Sequence, residues 1–128
     1  MMDLKPVFTP QAPQPIGPYS QAMWACGFLF TSGQLGINPQ TGKLCQESLE
    51  EEFRQALANL REILQVAGAD FSGVVSVNIY LTNLAEFAKV NQLYAEAFGP
   101  HHPARTTVEV TALPLGARIE ISLIAWVG

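Results

Sequence analysis

The sequence predicts an α+β sandwich in the order ββαβαββ, with two helices laid over one sheet of four to five strands. Three observations carry this. Two segments have apolar residues at helical spacing, each opened by a capping residue and closed by glycine. Short β patterns flank both of them. At 128 residues the chain has the length of one domain.

Residues 5–18 hold five of the nine prolines, so an extended arm is expected there. Tyr19–Ala25 and Phe28–Gln34 read as two strands of a hairpin around Cys26-Gly27. Gly36–Lys43, with its NPQTG run, is a turn-rich loop. Ser48 opens the first helix, and Glu51 stands at the capping-box position. Phe53, Leu57, Leu60, Ile63, Leu64 and Ala67 form its apolar stripe, and Gly68 stops it. Val74–Leu81 is a strand with Val75, Val77 and Ile79 on one face. Asn83 starts the second helix, with Glu86 at the box position; Gly99-Pro100 ends it. Thr106–Val110 and Arg118–Trp126 are the last two strands. This order supplies no third layer, so the sheet's second face needs a partner subunit as its cover.

Apolar residues make up 48% of the chain and charged residues 14%, which supports a core but leaves little charge to coat a lone monomer. The formal charge is −4, and the seven basic residues do not cluster, so no nucleic-acid footprint is present. Neither a secretory signal nor a membrane span is expected: no charged start leads into an apolar run, and no stretch approaches roughly 18 apolar residues. Cys26 and Cys45 have no metal-ligand spacing, and with no signal they fit a reducing, cytoplasmic setting.

The last quarter of the chain holds the chemistry. Arg105 stands at the mouth of a β pattern, where Pro103 shapes the backbone and Ala104 leaves room. Its bland reading is a solvated surface arginine. Glu120 lies within an apolar strand, sharing a face with Arg118, Ser122 and Ile124. A buried carboxylate is costly unless it is paired or used. It either forms a structural ion pair with Arg118 or a cross-strand arginine, or it holds water and passes a proton. Arginine is the residue best built to grip a carboxylate by two parallel hydrogen bonds, so the two together point to a site for a small organic acid with proton chemistry beside it. Tyr19 is a hydrogen-bond donor or an edge aromatic. Gly33 brings backbone N–H groups near a ligand, or simply ends a strand. Ser32 has no evident base, adjacent His101 and His102 point apart, and no metal motif or nucleotide loop occurs.

Five markers stand in order: IGPYSQA from Ile16, TSGQ from Thr31, NPQTG from Asn38, VNQLY from Val90, and PARTTVEV with ALP and IEI from Pro103 to Ile121. In these the chain resembles the Rid family, the YjgF-like reactive-intermediate deaminases, and most closely its RidA branch. The resemblance runs from Ile16 to Ala125. It implies a chorismate-mutase-like sandwich, two helices on one mixed sheet, in a homotrimer whose sheets face the centre and whose sites lie between subunits. It implies hydrolysis of 2-imino acids and their enamine tautomers to 2-oxo acids and ammonia, without a cofactor or metal. The family's carboxylate-binding arginine falls on Arg105 and its water-activating glutamate on Glu120. Its tyrosine falls on Tyr19, its strand-end serine and glycine on Ser32 and Gly33, and its helix asparagine on Asn91, read here as structural. Many RidA proteins have cysteine where this chain has Thr107, and an aromatic where it has His102; the Asn91–Arg105 stretch is also shorter. Those departures bear on substrate preference.

Two other functions fit the residues less well. A non-catalytic carboxylate-binding module leaves Glu120 without a role. RNA cleavage, a label attached to the family, conflicts with the acidic balance. A Rid branch with a different imine substrate is separated only by substrate profiling.

Overall fold

The computed structural model describes residues 3–128. Six strands form one sheet: β1 Leu4–Val7, β2 Ala22–Ala25, β3 Phe28–Thr31, β4 Val74–Leu81, β5 Ala104–Glu109 and β6 Ile119–Trp126. Their spatial order is β1-β2-β3-β6-β4-β5, antiparallel throughout except for the parallel pair β4 and β5. Two helices, α1 Leu49–Val66 and α2 Phe87–Phe98, pack on one face. The fold is thus an α+β sandwich with a mixed sheet. Among the described residues no helix is long and apolar enough to cross a membrane.

The expected arm and strand count need correction. Leu4–Val7 pairs with Ala22–Ala25 and adds an edge strand, so the order is βββαβαββ and the sheet has six strands. Pro6 is compatible with this place because an edge strand has one side without a ladder partner. Beyond β1 the arm is irregular and is pinned by the buried side chain of Gln21. Its Nε2 donates to the carbonyls of Thr9, Ala12 and Pro13, and its Oε1 accepts from the Thr9 N–H. These bonds satisfy backbone groups that would otherwise be left unpaired in the interior.

Ser48 caps α1, its side chain accepting from the Glu51 N–H at 3.1 Å. The expected stripe is buried from Phe53 to Leu64, with Leu60, Ile63 and Leu64 wholly so, and Ala67, just past the helix, is partly buried. Gly68 (φ +83°) follows the helix in the left-handed conformation that a glycine adopts without steric cost. The second helix starts later than expected. Asn83 caps a single 3₁₀ turn over Leu84–Glu86, and Glu86 makes no capping bond to α2, which begins at Phe87.

In β4 the expected face is partly wrong. Val74 is buried and Val75 exposed, because the register against β6 shifts between Val74 and Ser76. This bulge inserts one residue and reverses the alternation for the strand's first position. From Val77 onward the pattern is as expected.

β6 alternates cleanly. Ile119, Ile121, Leu123 and Ala125 are buried against the helices, and Glu120, Ser122, Ile124 and Trp126 face the other way. That second face carries Leu4, Phe28, Phe30, Val108 and Trp126, all between 36% and 58% exposed. An apolar sheet face of this kind lacks the layer that would bury it in a sandwich.

Candidate active site

Arg105 enters through the register of the parallel pair. It lies opposite Val77, and Thr107 lies opposite Ile79. Val77 and Ile79 are wholly buried beneath the helices, so Arg105 and Thr107 share the helix-facing side. There Arg105 meets three residues of α2 at helical spacing, Phe87, Asn91 and Tyr94. Its guanidinium carbon lies 4.7 Å from the Tyr94 ring centroid and 5.6 Å from that of Phe87. Nη2 donates to Asn91 Oδ1 at 2.5 Å.

This mode of holding leaves the arginine usable. Aromatic rings attract the flat face of a guanidinium, whereas its five N–H donors lie in the plane. One bond goes to Asn91, and no described carboxylate lies within ion-pair distance of Arg105. The charge is retained and donors remain for an incoming carboxylate. The cleft beside it has a volume of about 300 Å³ and is lined by Asn91, Tyr94, Ala95, Phe98, His102 and Pro103. The hydroxyls of Tyr94 and Thr107 are buried without a hydrogen-bond partner. Burial raises the pKa of the Tyr94 phenol, and Arg105 pulls it part of the way back.

Glu120 sits elsewhere. It lies opposite Tyr80 on β4, on the face turned away from the helices. Gly33 packs directly against it: a Cβ built on Gly33 would come within 2.6 Å of the Glu120 carboxyl group, so any larger residue would displace the acid. Gln34 fixes this approach through a two-bond bridge to Ile121, at 2.7 and 3.0 Å. Glu120 is half-buried, and desolvation raises its carboxyl above the ordinary carboxylate pKa. Its cleft is also lined by Tyr19, Gly33, Pro114 and the proline arm from Pro13 to Ile16.

Tyr19 is half-exposed there, its hydroxyl 3.4 Å from the Ile16 N–H. Ser32 is engaged in the fold, its hydroxyl donating to the Ser20 carbonyl at 2.6 Å. The structure therefore groups Arg105, Thr107 and Asn91 on one face, and Glu120, Gly33 and Tyr19 on the other. The two histidines diverge: a ring nitrogen of His101 lies 2.7 Å from the Val74 carbonyl, and His102 lines the Arg105 cleft.

Two residues that hold Arg105, Tyr94 and Phe87, carry no local sequence signal for an arginine that is distant in the chain. Glu52, in the acidic first turn of α1, has a structural role. It is wholly buried and accepts from the Arg118 N–H (2.6 Å), Arg118 Nε (3.0 Å) and the Ile119 N–H (3.2 Å). Arg118 thus pairs with Glu52, which removes the ion-pair reading of Glu120 with Arg118. A roomier groove of about 390 Å³, bounded by Lys5, Phe8, Trp24 and Val66, carries no acid or nucleophile. Among the described residues no cluster of three or more His, Cys, Asp or Glu side chains could hold a metal ion.

The family model described as Endoribonuclease L-PSP matches residues 9–127. Reactive Intermediate Deaminase A of Arabidopsis thaliana, a chloroplastic protein, is 50% identical over 93% of this chain and 64% of its own. The human 2-iminobutanoate/2-iminopropanoate deaminase is 43% identical over 93% of this chain and 87% of its own. Among solved structures, E. coli TdcF with bound serine superposes with a TM-score of 0.89 at 32% identity, covering 95% of this chain and 98% of that one.

Proposed function

Because the chain belongs to the endoribonuclease L-PSP family, which includes the Rid proteins, we propose that it hydrolyses 2-imino acids and their enamine tautomers to 2-oxo acids and ammonia. The observation that carries this reading is Arg105 itself: a guanidinium held by rings and an amide, with no carboxylate partner among the described residues and lining a cleft. Such a group selects a small carboxylate; the human relative is named for two 2-imino acids and the Arabidopsis relative for deamination of a reactive intermediate. TdcF, solved with serine, gives further support for a small ligand with a carboxylate.

In this reading the substrate carboxylate docks on Arg105 and C2 of the C=N bond is held for attack, which makes the step effectively unimolecular. Glu120 takes a proton from the attacking water as the C–O bond forms, and that proton passes on to the nitrogen as the C=N π bond opens. The carbinolamine then transfers its hydroxyl proton by way of Glu120 to the nitrogen, the C–N bond breaks, and ammonia leaves the C2 carbonyl behind. A carboxyl whose pKa is raised by burial is a stronger base than a free glutamate. Thr107 and Tyr19 serve as hydroxyl contacts to the ligand, with backbone N–H groups beside Gly33.

One chain cannot bring Arg105 and Glu120 together, since they lie on opposite sides of its sheet. We therefore place the site between copies, Arg105 from one and Glu120, with Tyr19 and Gly33, from the next. The exposed apolar sheet face supports association, and the arrangement is a homotrimer with sheets toward the centre. The free thiols of Cys26 and Cys45 fit a cytoplasmic setting. RNA as substrate gains no support from the surface: the net charge is −4, and Arg54, Lys89 and Arg118 are already ion-paired.

The test is an imine-trapping assay. An amino-acid oxidase generates imines from leucine, methionine and a four-carbon amino acid, and semicarbazide competes for them. The protein should lower trapping and Arg105→Ala should not. If wild-type protein leaves trapping of every imine unchanged, the deaminase reading fails and a carboxylate-binding module takes its place.

A further inference from the structure

Arg105 does not rest on an isolated tyrosine. The Tyr94 ring stacks on Phe98, with centroids 4.5 Å apart and planes inclined by 25°. Phe98 stacks in turn on Phe71, at 4.9 Å and 22°. Beyond Phe71 lies the guanidinium of Arg61, 4.8 Å from its ring centroid. At these separations one face of a ring holds one neighbour. The five side chains therefore follow one another in a row: Arg105, Tyr94, Phe98, Phe71, Arg61.

The row runs from α1 to the edge strand β5. Arg61 is exposed on α1, Phe71 lies in the 3₁₀ turn Phe71–Gly73 before β4, Phe98 and Tyr94 are one turn apart on α2, and Arg105 is on β5. Tyr94 and Phe98 are each more than nine-tenths buried. Each end of the row is a cation on an aromatic face, the geometry that a ring quadrupole favours, and the middle is near-parallel stacking.

We propose that Phe98 and Phe71, which do not touch Arg105, are positioning residues that hold it in its gripping orientation through this aromatic column. The physical reason lies in the rotamers. An arginine has long, flexible torsions, and a single ring beneath it fixes the guanidinium only as firmly as that ring is itself fixed. Phe98 occupies the far face of Tyr94 and so blocks its rotation; Phe71 does the same for Phe98. A carboxylate would fix the arginine equally well, but it would occupy the donors that the ligand needs. The ligand's identity rests on the deaminase reading; the column does not.

Two readouts separate those two claims. One is the affinity for 2-oxobutanoate by calorimetry, with KM and kcat for imine hydrolysis. The other, which needs no ligand, is the order parameter of the Arg105 Nε–Hε group by NMR. Phe98→Leu and Phe71→Leu should weaken 2-oxobutanoate binding and raise KM by about tenfold, with kcat within about twofold, and should lower the order parameter. Tyr94→Phe keeps the ring and should retain the Arg105 order parameter. Phe53→Leu, a buried core position outside the column, should lower the melting temperature without altering either readout. Rigid Arg105 in Phe98→Leu, or equal mobility of Arg105 in Phe53→Leu, would overturn the proposal. If the wild-type protein binds no 2-oxobutanoate, the deaminase reading falls and the NMR comparison alone decides the column.

Discussion

Arg105 and Glu120 occupy opposite faces of one sheet, on strands separated only by β4. Arg105 is in register with Val77, which points into the helix layer; Glu120 is in register with Tyr80, which points away from it. No side-chain rotation carries either residue through the sheet. Chemistry that needs both requires a second copy of the chain.

A mixing experiment tests this relationship. Arg105→Ala and Glu120→Gln should each be inactive alone. Subunits of the two, mixed equally and reassembled, should recover about a quarter of wild-type activity, because three in four random trimers are mixed and each mixed trimer rebuilds one site of three. Sedimentation should give three times the mass of the chain. No recovery from mixed trimers would show that one chain supplies both groups; a monomeric mass would remove the shared site altogether.

The hold on Arg105 predicts a specific hierarchy. Arg105→Ala should lower kcat/KM roughly 100-fold or more with the fold unchanged by circular dichroism. Arg105→Lys should recover little, since an ammonium keeps the charge but loses the planar fork and the flat face that stacks on Tyr94. Near-wild-type turnover in Arg105→Lys would mean that charge alone suffices.

Glu120 makes a pH-dependent contribution whose sign follows from its raised pKa. A carboxyl raised by burial is accommodated best when protonated, so its stabilising contribution is complete below the unfolded carboxylate pKa and is lost as pH rises through the folded value. Glu120→Gln, which is neutral throughout, should therefore melt higher than wild type at pH 8. That advantage should shrink as the pH falls into the carboxylate range and vanish below it. Thermal melts across pH 3–8 check this, and a constant difference would mean that Glu120 is not desolvated.

Glu52 should matter for stability and not for the chemistry. Its buried carboxylate ties α1 to the start of β6 through two backbone N–H groups and the Arg118 guanidinium. Glu52→Ala leaves those groups without an acceptor, and Arg118 is partly exposed, so the loss should be about 2–3 kcal/mol in chemical denaturation. A loss well below 1 kcal/mol would show that water replaces the carboxylate.

Much of this protein is legible from local pattern. The apolar stripe of α1, the Ser48 cap and the alternation of β6 each depend on neighbours within a few positions, and each lies where the sequence places it. The pattern also put Glu120 on the face opposite Ile119 and Ile121. The sixth strand has no local signal because prolines dominate the arm; Leu4–Val7 is a strand only through its pairing with β2. The exposure of Val75 departs from strand alternation because a bulge depends on register with β6, which no residue of β4 encodes alone.

By itself, then, the sequence determined the helices, most strands, the uncovered sheet face and the two candidate groups, Arg105 and Glu120. These follow from short-range periodicity and from the cost of placing charge in apolar surroundings. Only the tertiary structure decided which face Arg105 takes, that Tyr94 and Asn91 hold it, that Glu52 claims Arg118, and that Gly33 makes room for Glu120. Each of those is a contact between residues distant in the chain. Strand register and helix packing create it, and periodicity within a segment carries no record of which other segment will lie beside it.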